Sequence, residues 1–242
     1  MPASVRLRIH IERWSRGHAG AMLLATGVAW LLGQALPLAL TGLVSFALFF
    51  LLNRPAWQPL SWWGGPANLV TGLRLGGLLL IAGWGQQWHP WTLAAVALVI
   101  LITDGLDGYL ARRFQTQSLF GEYFDKETDA FFVLVMSTQL ALQGRIGFWV
   151  IGLGLLRYVY VLLLIYFKPP TRKEGRSYFG QVVAVLLMLS LILGWVLPAA
   201  WYLPLQIGVA ALVVYSFGRS FAAMRRPRTG TKTSHPIPSG KS

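Results

Sequence analysis

Six of the chain's eight acidic residues fall within "TDGLDGYLARRFQTQSLFGEYFDKETDA", residues 103–130. Asp104 and Asp107 are three positions apart and Asp125 and Asp129 four, so each pair leaves one face of its own helix. The intervening "ARRFQTQSLFG" is short enough to fold two helices antiparallel and bring the four carboxylates together. Hard oxygen ligands on facing helices suit Mg²⁺ or Mn²⁺, which leave positions open for water and phosphate oxygens. Two such ions about 3.5 to 4 Å apart form a phosphoryl-transfer clamp. Gly108 and Gly121 clear side-chain bulk one turn from Asp104 and Asp125, so a phosphate or nucleotide can approach the backbone. A solvated acidic loop is the competing reading, but such a loop has no reason to set all four acids at helical intervals. Glu122 and Glu127 fall off this spacing and are expected to be solvated or paired with Arg113 or Lys126.

The elements that must position these acids are greasy. Of 242 residues, 55% are hydrophobic and 12% charged, against about 25% charged in soluble domains. Nearly uncharged runs at 75–103, 131–144, 146–167, 179–203 and 205–218 approach or exceed the roughly 17 to 25 residues of a membrane-crossing helix. The expected fold is therefore all-α: a polytopic integral membrane protein with a six-helix transmembrane core and an N-terminal apolar hairpin. An ionised carboxylate inside a bilayer costs roughly 2.5 to 3.5 kcal/mol even on the lenient insertion scale. Metal ions, aided by Arg112, Arg113 and Lys126, are expected to offset that cost.

The net charge of +13 would point to nucleic acid in a soluble protein, but its distribution points elsewhere. Arg6, Arg8, Arg13 and Arg16 precede the first apolar run, Lys168, Arg172, Lys173 and Arg176 share one loop, and Arg225, Arg226, Arg228 and Lys232 follow the last run. Connections near 85–90 and 198–204 hold no Lys or Arg, and the one near 143 holds only Arg145. This positive-inside pattern places both termini and the acidic stretch on the cytoplasmic side. The expected location is the bacterial inner (plasma) membrane, with no nucleic-acid partner. The absence of cysteine removes disulfides, thiolate nucleophiles and Cys-ligated zinc. A cleaved signal peptide is not expected, since a second apolar run follows the first at once and no small-x-small site closes it.

Along the chain, residues 1–18 read as a basic amphipathic cytoplasmic segment on the membrane surface. Residues 19–53 form an apolar transmembrane or re-entrant hairpin broken near Gly33 and Pro37. Residues 54–65, with Trp57, Trp62 and Trp63, make an interfacial linker. Helices are expected at 66–84, 91–112, 120–142, 146–167, 179–197 and 201–221, giving a core over 66–221, and 222–242 form a basic disordered tail. His10, His18, His89 and His235 lie off any metal-ligand spacing and are expected at interfaces or in tails. Arg157 stands inside an apolar run, where an arginine is by default functional. With Arg172, Lys173 and Arg176 it could bind an anionic acceptor headgroup.

Asp104, Asp107, Gly108, Ala111, Arg112, Gly121, Asp125 and Asp129 together reproduce D-x-x-D-G-x-x-A-R-x8-G-x3-D-x3-D without a mismatch. This pattern resembles that of the CDP-alcohol phosphotransferases, also called CDP-alcohol phosphatidyltransferases. The resemblance covers about 66–221 and leaves residues 1 to about 60 outside. It implies a two-metal site, with Mg²⁺ or Mn²⁺, in which Asp104 and Asp125 bridge both ions and Asp107 completes one shell. Asp129 would contact the other ion and act as the general base on the acceptor hydroxyl. Gly108, Ala111, Arg112, Ser118 and Gly121 would belong to the binding site for the CDP-linked donor. A further family element, N-x-x-T-x-x-R, is matched by Asn68, Thr71 and Arg74, which share one helix face and could reach the cytidine or pyrophosphate.

The reaction so implied moves a phosphatidyl, or related substituted phosphoryl, group from a CDP-alcohol such as CDP-diacylglycerol to an alcohol, releasing CMP, in phospholipid biosynthesis. The implied partners are the CDP-lipid donor, the alcohol acceptor, membrane lipids and a second copy in a homodimer. Family members with phosphorylated acceptors often carry Gly-Lys near the start of the fifth core helix, whereas here Gly180 precedes Gln181. Two other classes use similar acids. Intramembrane prenyltransferases need N-D-x-x-D-x-x-x-D, and here Thr103 and Ala111 replace its Asn and last Asp. A non-catalytic divalent-cation transporter would need the acids but would not release CMP.

Overall fold

The computed structural model describes residues 3–54, 65–113, 118–167 and 178–225; within these, 3–6, 106–112, 165–167 and 220–225 are described by backbone alone. Among the described residues the chain is all-helical, without strands: α1 Ala3–Leu32, α2 Leu36–Leu52, α3 Pro66–Trp84, α4 Pro90–Arg113, α5 Leu119–Leu142, α6 Trp149–Phe167, α7 Tyr178–Leu193 and α8 Ala199–Arg225. A 3₁₀ turn, Gly85–Gln87, follows α3. The helices from α3 onward start and stop within a few residues of their expected positions, because each coincides with an apolar run closed by Pro, Gly or polar residues. Among the described residues two stretches, Pro66–Gln87 and Ala199–Arg219, are long and apolar enough to cross a membrane, with mean hydropathies of 1.3 and 1.5. Leu36–Leu52, Pro90–Gly105, Trp149–Leu164 and Tyr178–Leu193 are shorter apolar helices. Large apolar side chains such as Leu24, Leu31, Leu73, Val99 and Trp201 point outward from the bundle.

At the N-terminus the helix is continuous where the sequence suggested a surface segment ending at residue 18. The reason is a stripe at alternating four- and three-residue spacing, Ile11, Ser15, His18, Met22, Ala25 and Ala29, all buried. That stripe faces α2, α5 and α6, so the basic residues occupy only the other side of one long helix. His18 accordingly sits inside the bundle, not at an interface, and its Nδ1 shares a 2.7 Å hydrogen bond with Ser45 Oγ. The chain turns at Gly33 (φ 65°) and α2 starts with proline in its first turn.

Helix α5 is the centre of the bundle, buried almost continuously from Ala130 to Ala141. Its first half meets an aromatic cluster on α2, where Phe49 stacks on Phe120 with ring centroids 4.7 Å apart and Phe50 meets Phe124 edge-on at 4.9 Å. On the α6 side, Gly154 lets the backbones close up: a Cβ there would lie 2.7 Å from Leu134 Cα. Amide side chains tie one end of the bundle together. Gln139 Nε2 donates to Ile81 O at 2.6 Å and Gln86 Nε2 to Gly33 O at 2.9 Å. The acids lie toward the opposite end of these helices, near the start of α5 and the end of α4.

Candidate active site

Three helices supply the site. From α3, Asn68, Thr71 and Arg74 point inward, each no more than 6% exposed. Helix α4 brings Asp104 and helix α5 brings Asp125 and Asp129, with side chains 26%, 37% and 31% exposed. One oxygen from each of these three carboxylates lies within 4.8 Å of the other two. The expected convergence is thus present for three of the four acids. Asp107, Gly108, Ala111 and Arg112 lie on the α4 stretch whose side chains are outside the described residues.

Arg74 fills the middle of this cluster. Its Nη2 lies 2.6 Å from Asp104 Oδ1 and 2.5 Å from Asp129 Oδ1, and its Nη1 donates to Asp125 Oδ1 at 3.0 Å. A planar fork with five donors can serve three carboxylates at once, which an ammonium cannot do in one plane. Among the described side chains Arg74 is thus a cation that pairs with all three acids, and the side chain of the expected Arg112 lies outside the described residues. Lys126 is engaged by Glu122 at 2.9 Å on the same helix, as one of the alternatives for that glutamate anticipated. The donor set fits a divalent ion, with three partly exposed, hard carboxylate oxygens converging from two helices, and an ion bound there would take oxygens that Arg74 holds in this structure.

The start of α5 is built with similar economy of space. Ser118 caps the helix, its Oγ accepting from Gly121 N at 3.0 Å. Gly121 in turn admits Asn68, since a Cβ at that position would lie 2.8 Å from Asn68 Oδ1. Thr71 Oγ1 donates to Ala67 O at 3.1 Å. Asn68, Ser118 and Gly121, proposed from separate motifs, thus meet at one place beside the acids.

The sequence profile of the CDP-alcohol phosphatidyltransferases matches residues 65–216. The chain belongs to this family. No solved structure matches it. As a CDP-alcohol phosphatidyltransferase it is an enzyme of phosphatidyl transfer from a CDP-alcohol, and the matched span runs from the residue before α3 into α8. Helices α1 and α2 lie outside that span.

Not every residue singled out in this phosphatidyltransferase gathers at the acids. Arg157, expected at an acceptor headgroup, places its Nη2 2.9 Å from Glu127 Oε1. Glu127 is 1% exposed and also accepts from Ser15 Oγ at 2.8 Å, so it is neither solvated nor paired with Arg113 or Lys126. Burial explains the difference: a carboxylate removed from water needs a charged partner, and Arg157 is the sole cation of the α6 sequence. The signal was legible in the stripe Phe120, Phe124, Glu127, Phe131 and Leu134, where a lone acid stands at core spacing. Arg172, Lys173 and Arg176 lie outside the described residues.

Proposed function

We propose that the protein transfers a phosphatidyl, or related substituted phosphoryl, group from a CDP-alcohol such as CDP-diacylglycerol to an alcohol acceptor with release of CMP, as a step of phospholipid biosynthesis. The observation that carries this reading is the meeting of Asp104, Asp125 and Asp129 within 4.8 Å beside the Asn68–Gly121 contact, in a chain of this family.

Asp104, Asp107, Asp125 and Asp129 would hold two Mg²⁺ or Mn²⁺ ions, which when bound supply neutralisation of the pyrophosphate charge. Around them the chain's own groups position the reactants. Asn68, Thr71 and Arg74 from α3, with Gly108, Ala111, Arg112, Ser118 and Gly121, form the donor site. Asp129 takes the proton from the acceptor hydroxyl. The alcohol oxygen then forms its bond to the phosphorus that carries the lipid, and the bond from that phosphorus to the CMP oxygen breaks in line. A carboxylate is a weak base for an alcohol, so positioning supplies much of the rate. Arg157, Arg172, Lys173 and Arg176 are the cations proposed for an anionic acceptor headgroup.

The apolar helices and the outward-facing leucines support an integral membrane protein with a six-helix core over 66–221. The basic loops support a cytoplasmic face for both termini and the acids, in the inner membrane of a bacterium. The reading includes a homodimer, to be checked by light scattering in detergent.

Purified full-length protein with CDP-diacylglycerol, Mg²⁺ or Mn²⁺ and a panel of acceptors (glycerol 3-phosphate, inositol phosphate, serine and other alcohols) should release CMP and form lipid product with one of them. Absence of product with every acceptor and both ions would overturn the reading.

A further inference from the structure

Helix α5 carries acids on two opposite faces. Asp125 and Asp129 face α3 and α4, whereas Glu127, two residues from each, is rotated by about 200° and is buried among α1 and α6. There it accepts from Arg157 Nη2 of α6 at 2.9 Å and from Ser15 Oγ of α1 at 2.8 Å. The surrounding shell is ordered as well. His18, one turn beyond Ser15, is bonded to Ser45 of α2 at 2.7 Å and packs on Tyr158, the residue after Arg157, with ring centroids 5.7 Å apart. Trp14 Nε1 donates to Ser45 O at 2.9 Å.

We propose that Glu127, clamped between Arg157 and Ser15, is a positioning residue that sets the roll of α5 about its axis and thereby the aim of Asp125 and Asp129. The N-terminal helix, outside the family-matched span, is on this view a working part of the transfer site. The physical ground is directional. Apolar contacts are not directional, whereas a buried carboxylate with two partners on different helices holds one orientation, because a roll in either direction strains at least one of the two bonds in a low-dielectric setting. Roll of α5 moves Asp125 and Asp129 together relative to Asp104 on α4. A cluster whose oxygens must converge within a few ångströms is sensitive to such a shift. Arg157 thereby has a positioning role in addition to the one proposed for it at the acceptor.

This inference rests on the metal-site reading above, and the test separates the two. Mn²⁺ binding to full-length protein in detergent, followed by electron paramagnetic resonance, is compared for wild type, Glu127→Gln, Ser15→Ala, Arg157→Met, Arg157→Lys and the control Glu122→Gln, using only monodisperse, fully helical fractions. The expected result is roughly tenfold weaker Mn²⁺ binding for Glu127→Gln and Arg157→Met. A smaller loss is expected for Ser15→Ala, partial recovery for Arg157→Lys, and wild-type binding for Glu122→Gln, whose exposed pair with Lys126 is on the same helix. In turnover, kcat should fall while KM for the CDP-lipid stays near wild type. Variants that are less stable but bind Mn²⁺ like wild type would overturn the proposal and reduce the network to a structural brace. Should the α5 and α6 variants not fold, Ser15→Ala alone decides, and unchanged binding there overturns it. Wild-type protein that binds no Mn²⁺ would overturn the metal reading and this inference with it.

Discussion

Arg74 Nη2 and Asp129 Oδ1 lie 2.5 Å apart, a contact between residues 55 positions apart in the chain. It joins the N-x-x-T-x-x-R element on α3 to the second acid of the D-x-x-x-D pair on α5, and the same guanidinium reaches Asp104 and Asp125. Arg74 is thus the counter-charge that lets three carboxylates share a small space.

Removing that charge should expose their repulsion. Arg74→Met is expected to destabilise the metal-free protein by about 1 to 2 kcal/mol, below the cost of breaking a fully buried pair because the three acids are about a third exposed. Added Mg²⁺ should raise the melting temperature of this variant more than that of wild type, since the ion no longer competes with a guanidinium for the same oxygens. Thermal unfolding with EDTA and with Mg²⁺ checks this; equal shifts in the two proteins would sink the idea.

Asp129→Asn keeps size and an acceptor oxygen for Arg74 but cannot take a proton. CMP release should fall by about 100-fold or more while helical content is unchanged. Chelation by EDTA should abolish turnover in wild type, and either Mg²⁺ or Mn²⁺ should restore it. A variant that turns over at the wild-type rate would remove Asp129 from the base role.

Gly121→Ala tests the donor side. The new Cβ would lie 2.8 Å from Asn68 Oδ1, so the amide must move. We expect KM for the CDP-lipid to rise severalfold, with little loss of stability because alanine favours a helix over glycine by about 1 kcal/mol. Steady-state kinetics settle it: an unchanged KM means that Asn68 does not contact the donor.

Two glycines on α6 should respond oppositely to the same substitution. At Gly154 an added methyl meets Leu134 Cα at 2.7 Å and Ser137 Oγ at 2.5 Å, whereas Gly152 has nothing within 4 Å. Gly154→Ala is expected to cost about 1 to 3 kcal/mol through overpacking, and Gly152→Ala to be neutral or stabilising by up to about 1 kcal/mol. Denaturation in matched detergent measures both, and similar values for the pair would contradict the close α5–α6 crossing.

The helices from α3 onward and the gathering of Asp104, Asp125 and Asp129 were legible in the order of the residues. An apolar run sets a helix, acids three or four apart share its face, and the short connection between α4 and α5 folds those two faces together. Which charge answers which emerges only from the packing of the helices. Arg74 reaches the acids across 55 positions, and Glu127 is answered by Arg157 and by Ser15, 30 and 112 positions away. Spacing along one helix says which way a side chain points but not which helix packs there. The continuity of α1 through residue 18 was likewise hidden, because charges on its outer face masked a buried stripe that becomes visible only once α2, α5 and α6 cover it.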